Sequence, residues 1–196
     1  GGGLNMVRPE TGTFTVYRNN PADPKSICGD FILSLFEDGE GRILAGTSLG
    51  LAVLDVAKGT FERFTEEANG LPNNHVYSVL VDDEGAYWLS SNRGLSRLNP
   101  RTGTVKSYDV SDGLQGNEFN GGARFRSKSG EMYFGGTNGL NAFIPSLLKD
   151  NPFPPEVVIT KSEVFNKEVP VGPDADGRVI LEKSITETTD IDLRFG

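Results

Sequence analysis

The chain has 196 residues, with 27 acidic against 19 basic side chains, a formal charge of −8 and a pI near 4.7. That balance, with no cluster of Lys or Arg, excludes a nucleic-acid surface, because phosphate recognition needs concentrated positive charge. The composition is that of a soluble globular protein, and no apolar run of about 18 residues reads as a membrane-spanning helix.

In chain order, Leu4 to Arg8 reads as a strand, and Pro9-Glu10-Thr11-Gly12 turns it into a second over Thr13 to Arg18. Asn19 to Asp30 is a polar connector, longer than a hairpin loop and so a candidate functional rim. The stretch FILSLFEDGEGRILAGTSLGLAVLDVAKGTFERF then carries four apolar runs divided by glycine turns, and Thr65 to His75 leads to the next set. There Val76 to Val81, Ala86 to Ser90, Leu95 to Leu98 and Thr104 to Val110 are four strands, turned at Asp82-Asp83-Glu84-Gly85, Asn92-Arg93-Gly94 and Asn99 to Gly103. The last of them alternates Val105, Ser107 and Asp109 with Lys106, Tyr108 and Val110, which suits an outer, half-solvated strand. A second connector runs from Ser111 to Asn120, and three further strands end near Ile144. The prolines of Asn151-Pro152-Phe153-Pro154-Pro155 mark a boundary, since they cannot enter a sheet interior. Beyond it, Glu156 to Thr160, Ser162 to Phe165, Val179 to Leu181 and Ile191 to Phe195 read as strands of a different domain that does not repeat.

These strands repeat with a fixed period. Gly41, Gly85 and Gly130 fall 44 and 45 residues apart, and Gly50, Gly94 and Gly139 keep the same phase nine residues later. Gly12, Gly59 and Gly103 form a third series at spacings of 47 and 44. Four-stranded units of this length are the signature of β-propeller blades. The expected fold is therefore all-β: a partial β-propeller over residues 1–150, followed by the beginning of an immunoglobulin-like β-sandwich over 151–196. Blades stacked in so short an array leave faces uncovered, so the repeat predicts membership of a larger propeller.

Few residues offer chemistry. His75 is the sole histidine, at the entry to a first strand, so a His-based metal site or triad has no second histidine to draw on and a structural or solvent role is the expected one; Cys28, the sole cysteine, leaves no internal disulfide to form. The acids Glu37, Asp38, Glu40, Asp82, Asp83 and Glu84 lack the alternating spacing of a calcium loop and read as exposed turn acids; no metal and no cofactor is expected. Leu44, Trp88 and Tyr133 share one second-strand position, which favours packing between blades. Glu118 lies between Asn117 and Asn120 in the second connector, without a nameable carboxylate partner for glycosidase chemistry. Asn117, Glu118, Asn120 and Arg124 are the candidate ligand-binding residues; the amides and guanidinium can equally satisfy backbone groups of the connector.

The run Asn74-His75-Val76-Tyr77-Ser78-Val79-Leu80, followed by Asp82-Asp83-Glu84-Gly85, Trp88-Leu89 and Gly94-Leu95, resembles the two-component regulator propeller repeat. The upstream copy departs from it at Leu44, and the downstream copy has Tyr133 and replaces the acidic turn by Ser127-Lys128-Ser129-Gly130. Residues from Pro154 onward are similar to the opening of the Y-Y-Y domain that follows such propellers. The resemblance implies the periplasmic sensor region of a hybrid two-component system of the kind Bacteroidetes use to detect oligosaccharides. It implies a glycan-derived ligand, a homodimer in the full-length form, membrane attachment through a segment outside these residues, and kinase activity only in cytoplasmic parts outside them. A propeller enzyme acting on polysaccharide and a protein-binding scaffold are the alternative readings.

Overall fold

A computed structural model describes residues 2–148, 159–164, 166–174, 177–188 and 191. The chain divides into two compact units, Gly1–Lys149 and Asp150–Gly196.

The first unit is a series of antiparallel meanders. A two-stranded piece, β1 (Leu4–Arg8) and β2 (Thr13–Tyr17), precedes a complete four-stranded blade of β3 (Ile32–Glu37), β4 (Ile43–Thr47), β5 (Gly50–Asp55) and β6 (Thr60–Phe64). A second complete blade follows, with β7 (Ser78–Val81), β8 (Tyr87–Ser91), β9 (Gly94–Leu98) and β10 (Val105–Tyr108) in sequential order across the sheet. The third blade has three strands, β11 (Phe119–Arg126), β12 (Met132–Gly136) and β13 (Gly139–Phe143). The first strands β3, β7 and β11 approach one another and form the inner side of the stack. Fold class and blade architecture agree with the glycine periodicity.

Packing explains why this pattern persists. Within a strand, alternate residues face the preceding and the following blade, so both faces of a middle blade are apolar. All five residues of β8 are buried. One core cluster joins Leu44, Leu51 and Val53 of the first full blade to Val79, Tyr87, Leu89 and Leu98 of the second; another joins Leu80, Trp88 and Leu95 of the second to Phe119, Met132 and Phe134 of the third. A third cluster seats Leu4 against Ala45, Ala52, Leu54 and Phe61, with Ile27 and Cys28 from the first connector. Each fully buried Leu, Val or Phe in these seams contributes about 1.5–3 kcal/mol.

Several boundaries differ from those expected. The β8–β9 turn uses only Asn92 and Arg93, so Gly94 opens β9 instead of belonging to the turn. The outer strand β10 ends at Tyr108, because Asp109 and Asp112 form a reciprocal capping box around a short helical turn, Val110–Asp112. Thr65 likewise caps a four-residue helix, Glu66–Asn69, accepting from the Ala68 N–H at 3.2 Å. The strand β11 begins at Phe119, which takes Asn120 out of the connector and into the sheet.

The second unit holds a short hairpin of β14 (Glu163–Val164) and β15 (Lys167–Glu168), with Asn166 at φ 60° in its turn, plus isolated bridges from Val171 to Leu181 and from Pro173 to Val179. Of the strand expected over Ser162 to Phe165, Glu163 and Val164 are in a strand, Ser162 is not, and Phe165 lies outside the described residues; the strand expected over Val179 to Leu181 is reduced to single bridges. Of the strands expected over Glu156 to Thr160 and Ile191 to Phe195, Ile159, Thr160 and Ile191 are outside any strand, and the rest lies outside the described residues.

Candidate functional site

Each blade has two ends, and they differ chemically. At one end lie the turns joining first to second strands. Here Asp82 is buried, and its carboxylate accepts from the N–H groups of Glu84 at 3.0 Å and Ala86 at 2.9 Å, from Trp88 Nε1 at 3.0 Å and from Arg97 Nε at 3.2 Å. Asp38 occupies the matching place one blade earlier, accepting from the N–H groups of Glu40 and Arg42 and from Arg42 Nε at 2.7 Å. Burial alone raises the Asp38 carboxyl, but the hydrogen bonds from Arg42 and Glu40 outweigh it and hold it below the usual carboxylate range. The Tyr87 hydroxyl of the next blade reaches Asp38 at 3.5 Å, and burial pushes this phenol up to about 12. Asp38 and Asp82 are therefore not the exposed turn acids expected: the turn folds each carboxylate inward as an acceptor for its own backbone.

A groove of about 370 Å³ between these turns is lined by Asp38, Glu40, Arg42, Asp82, Tyr87 and Arg101, among others. Its central charges already engage one another, through Arg42 with Asp38 at 2.7 Å and Glu40 at 3.3 Å, and Arg97 with Asp82 at 3.2 Å. Among the described residues no group of three or more His, Cys, Asp or Glu is placed to hold a metal ion.

The connectors lie at the opposite end, and there the four candidate residues separate into two kinds. Asn117 is structural: its Oδ1 accepts from the Val110 N–H at 3.2 Å and its carbonyl from the Gly94 N–H at 2.7 Å, tying the connector to β9. Arg124 is structural too, its guanidinium donating to the Leu35 carbonyl of β3 at 2.6 Å, across the inner side of the stack. Burial lowers the Arg124 pKa from its ordinary value. Glu118 and Asn120, by contrast, are exposed, and among the described residues neither side chain has a hydrogen-bond partner. The Glu118 carbonyl accepts from the Thr137 N–H at 3.1 Å, so its backbone is fixed while its carboxylate is presented outward.

A bulge in β11 shapes this rim. Phe119 pairs with Gly136 and Arg124 with Phe134, leaving Asn120 to Ala123 out of register. Gly122 in the bulge has φ 73° and donates to the Tyr77 carbonyl at 3.4 Å, and a Cβ on Gly121 would lie 3.8 Å from the Tyr77 ring. The Tyr77 ring in turn lies 6.0 Å from that of His75. The structure thus sets an aromatic pair from the second blade beside the bulge that carries Asn120. Sequence reasoning missed Tyr77 as a rim residue; the signal available was the Gly121-Gly122 pair, which marks a backbone excursion and a close approach. Trp88 and Leu44 are buried between blades, whereas Tyr133 is half-buried and its hydroxyl donates to Glu131 at 2.6 Å.

The architecture is that of a propeller segment, with an acid-anchored turn end and an open polar rim. Residues 70–93 match the Two component regulator propeller family. Over 174 residues the chain is 38% identical to Histidine kinase P4 of Formosa agariphila, covering 88% of this chain and 12% of that protein. The extracellular domain of the hybrid two component system BT3049 from B. thetaiotaomicron is similar in structure, with a TM-score of 0.64 and 24% identity, covering 72% of this chain and 19% of that one. The extracellular domain of BT4673 from the same organism matches with a TM-score of 0.61 at 24% identity, over 74% of this chain and 21% of its own. These likenesses establish the fold. The chain spans about an eighth of the curated relative's length and about a fifth of each solved chain.

Proposed function

We propose that this chain is the propeller portion of the sensor region of a two-component histidine kinase, located in the periplasm and recognising an oligosaccharide or other glycan-derived ligand. The observation that carries the reading is the 38% identity to Histidine kinase P4, maintained over 88% of this chain. The connector end supports the ligand class. Ligand sites combine apolar or aromatic surface with a few polar groups that fix orientation; here the Tyr77 ring supplies the first, and the carboxylate of Glu118 and the amide of Asn120 supply the second. Asn117 and Arg124 hold the rim in shape. Residues 151–196 are the start of the Y-Y-Y-like sandwich in this reading, and kinase activity belongs to other parts of the longer protein, which acts as a homodimer. Ligand binding transmits a signal only if it favours one arrangement of the sensor over another.

The test is calorimetric titration of the full polypeptide containing these residues with a panel of plant and algal oligosaccharides. Saturable binding without turnover, weakened about tenfold or more by Glu118→Gln or Tyr77→Ala, is the expected result. Hydrolysis or elimination of a glycan would replace this reading with an enzyme, and affinity for a protein but no sugar would replace it with a scaffold.

A further inference from the structure

We propose that Asn120 is a site of spontaneous covalent modification, at which the folded chain converts a rim amide into a carboxylate. The chain holds three Asn-Gly pairs, Asn69-Gly70, Asn120-Gly121 and Asn138-Gly139. In such a pair the glycine nitrogen can attack the side-chain carbonyl carbon of the asparagine, because no Cβ shields it. At Asn120 a bond forms from the Gly121 nitrogen to Cγ, the Cγ–Nδ2 bond breaks, and the proton of the attacking nitrogen leaves with the amide as ammonia. Water then opens the resulting five-membered imide at either of its carbonyls, giving aspartate or isoaspartate. The only co-reactant is water.

The fold bars this reaction at two of the pairs and leaves it open at the third. Asn69 Oδ1 accepts from the Thr65 N–H at 3.2 Å, and the Gly70 N–H donates to the Glu66 carbonyl at 3.0 Å, so carbonyl and nucleophile are both engaged. Asn138 donates through Nδ2 to the Gln115 carbonyl at 3.2 Å and through its backbone N–H to Gln115 Oε1 at 2.7 Å, while Gly139 is paired with Gly136 in the sheet. The Asn120 side chain has no such partner among the described residues, and Gly121 stands in the bulge, outside the register of β11 with β12. Gly122 follows it at φ 73°, so two successive glycines give the backbone room to bring nitrogen and carbonyl together. The exposure of Asn120 comes from its place at the connector end of a blade: Phe31 and His75, 89 and 45 residues earlier, are exposed as well, although their blades are packed on both sides by strands of this chain. Conversion sets a second carboxylate two residues from Glu118, ionised at neutral pH, and removes the two N–H donors of the amide.

Peptide mass spectrometry of the full polypeptide containing these residues, held folded in mildly alkaline buffer and sampled over time, tests this. Asn120 should convert about tenfold or more faster than Asn69 and Asn138, whose hydrogen bonds must break first, and should yield both aspartate and isoaspartate. In denaturant, where those bonds are gone, the three rates should converge. A Cβ on Gly121 would meet its nearest neighbour, the Tyr77 ring, at 3.8 Å, so Gly121→Ala should keep the circular dichroism of the wild type while shielding the nitrogen, and most of the conversion at Asn120 should be lost. None of these readouts depends on what the rim binds. Conversion at Asn120 no faster than at the other two in the folded protein, the same lead retained in denaturant, or a Gly121→Ala variant that converts as fast as wild type would each overturn the proposal.

Discussion

Asp82 gathers four donors from three sources: its own turn backbone, the Trp88 indole and the Arg97 guanidinium. Replacing it by Ala leaves the Ala86 N–H, the indole and one guanidinium N–H without an acceptor in a buried place. Unmade bonds of this kind cost about 1–3 kcal/mol each, with partial relief from water at the turn. Asp82→Ala should therefore lower stability by about 3 kcal/mol in a denaturant titration, while Asp83→Ala, whose side chain is largely exposed, should cost about 1 kcal/mol or less. Asp38 makes a prediction about acid. Its folded pKa lies below the ordinary carboxylate value near 3.9, so the unfolded chain binds the proton more readily than the folded one. The stabilisation is complete above about pH 4 and falls away as the pH drops through the folded value; Asp38→Asn should flatten that acid limb in thermal melts at pH 2.5–5. The turn itself was legible, since an acid three residues before a glycine has an obvious local role. The inward carboxylates were not, because Tyr87 reaches Asp38 from 49 residues away and Arg97 reaches Asp82 from 15.

At the scale of the element, glycine placement both revealed the repeat and concealed a detail of it. Gly94 opens β9 with φ 84°, and a Cβ there would stand 2.0 Å from the Tyr108 carbonyl oxygen of the neighbouring strand. Gly139 opens β13 at the matching place with φ 130°, but its blade has no fourth strand among the described residues, and the nearest atom to a Cβ is 4.0 Å away. Both positions carry the conformational penalty of a positive φ, about 1 kcal/mol for Ala; only Gly94 adds a backbone collision. Gly94→Ala should cost about 3 kcal/mol or more in urea unfolding, and Gly139→Ala about 1 kcal/mol. The spacing of these glycines located every strand of the first unit to within a few residues. What it could not show was the bulge of β11, since four residues leaving the ladder depend on Tyr77, just ahead of β7, and on Phe134 of β12. Of the four polar residues singled out at this connector, Asn117 and Arg124 bond to backbone groups, of Val110 and of Leu35, whereas the side chains of Glu118 and Asn120 are exposed; composition and position in the chain are alike for all four, and only the fold separates them.

Across the whole molecule the order of strands is local, each blade being a meander whose neighbours in space are neighbours in sequence. That is why a period read from one series of turns carried so much of the architecture, and why the second unit, which has no period, was read as four strands where the described residues hold a short hairpin and two isolated bridges. The bond from Arg124 to the Leu35 carbonyl is the exception, spanning 89 residues and skipping a complete blade. Its consequence is one of timing. Meanders close early because their loops are short, and a link between the first and third blades has no geometry until both seams around the second blade have formed. Arg124→Met keeps the aliphatic stem and removes the bond, a loss of about 1.5 kcal/mol for a charged donor. Since the bond forms after the rate-limiting assembly, nearly all of that loss should appear as faster unfolding, roughly tenfold, with the refolding limb of a stopped-flow chevron unmoved. A slowed refolding limb would instead place the first and third blades together in the transition state. With the refolding limb unmoved, the guanidinium is a clasp that fastens the stack only once it is complete, and its release is the first step by which the stack comes apart.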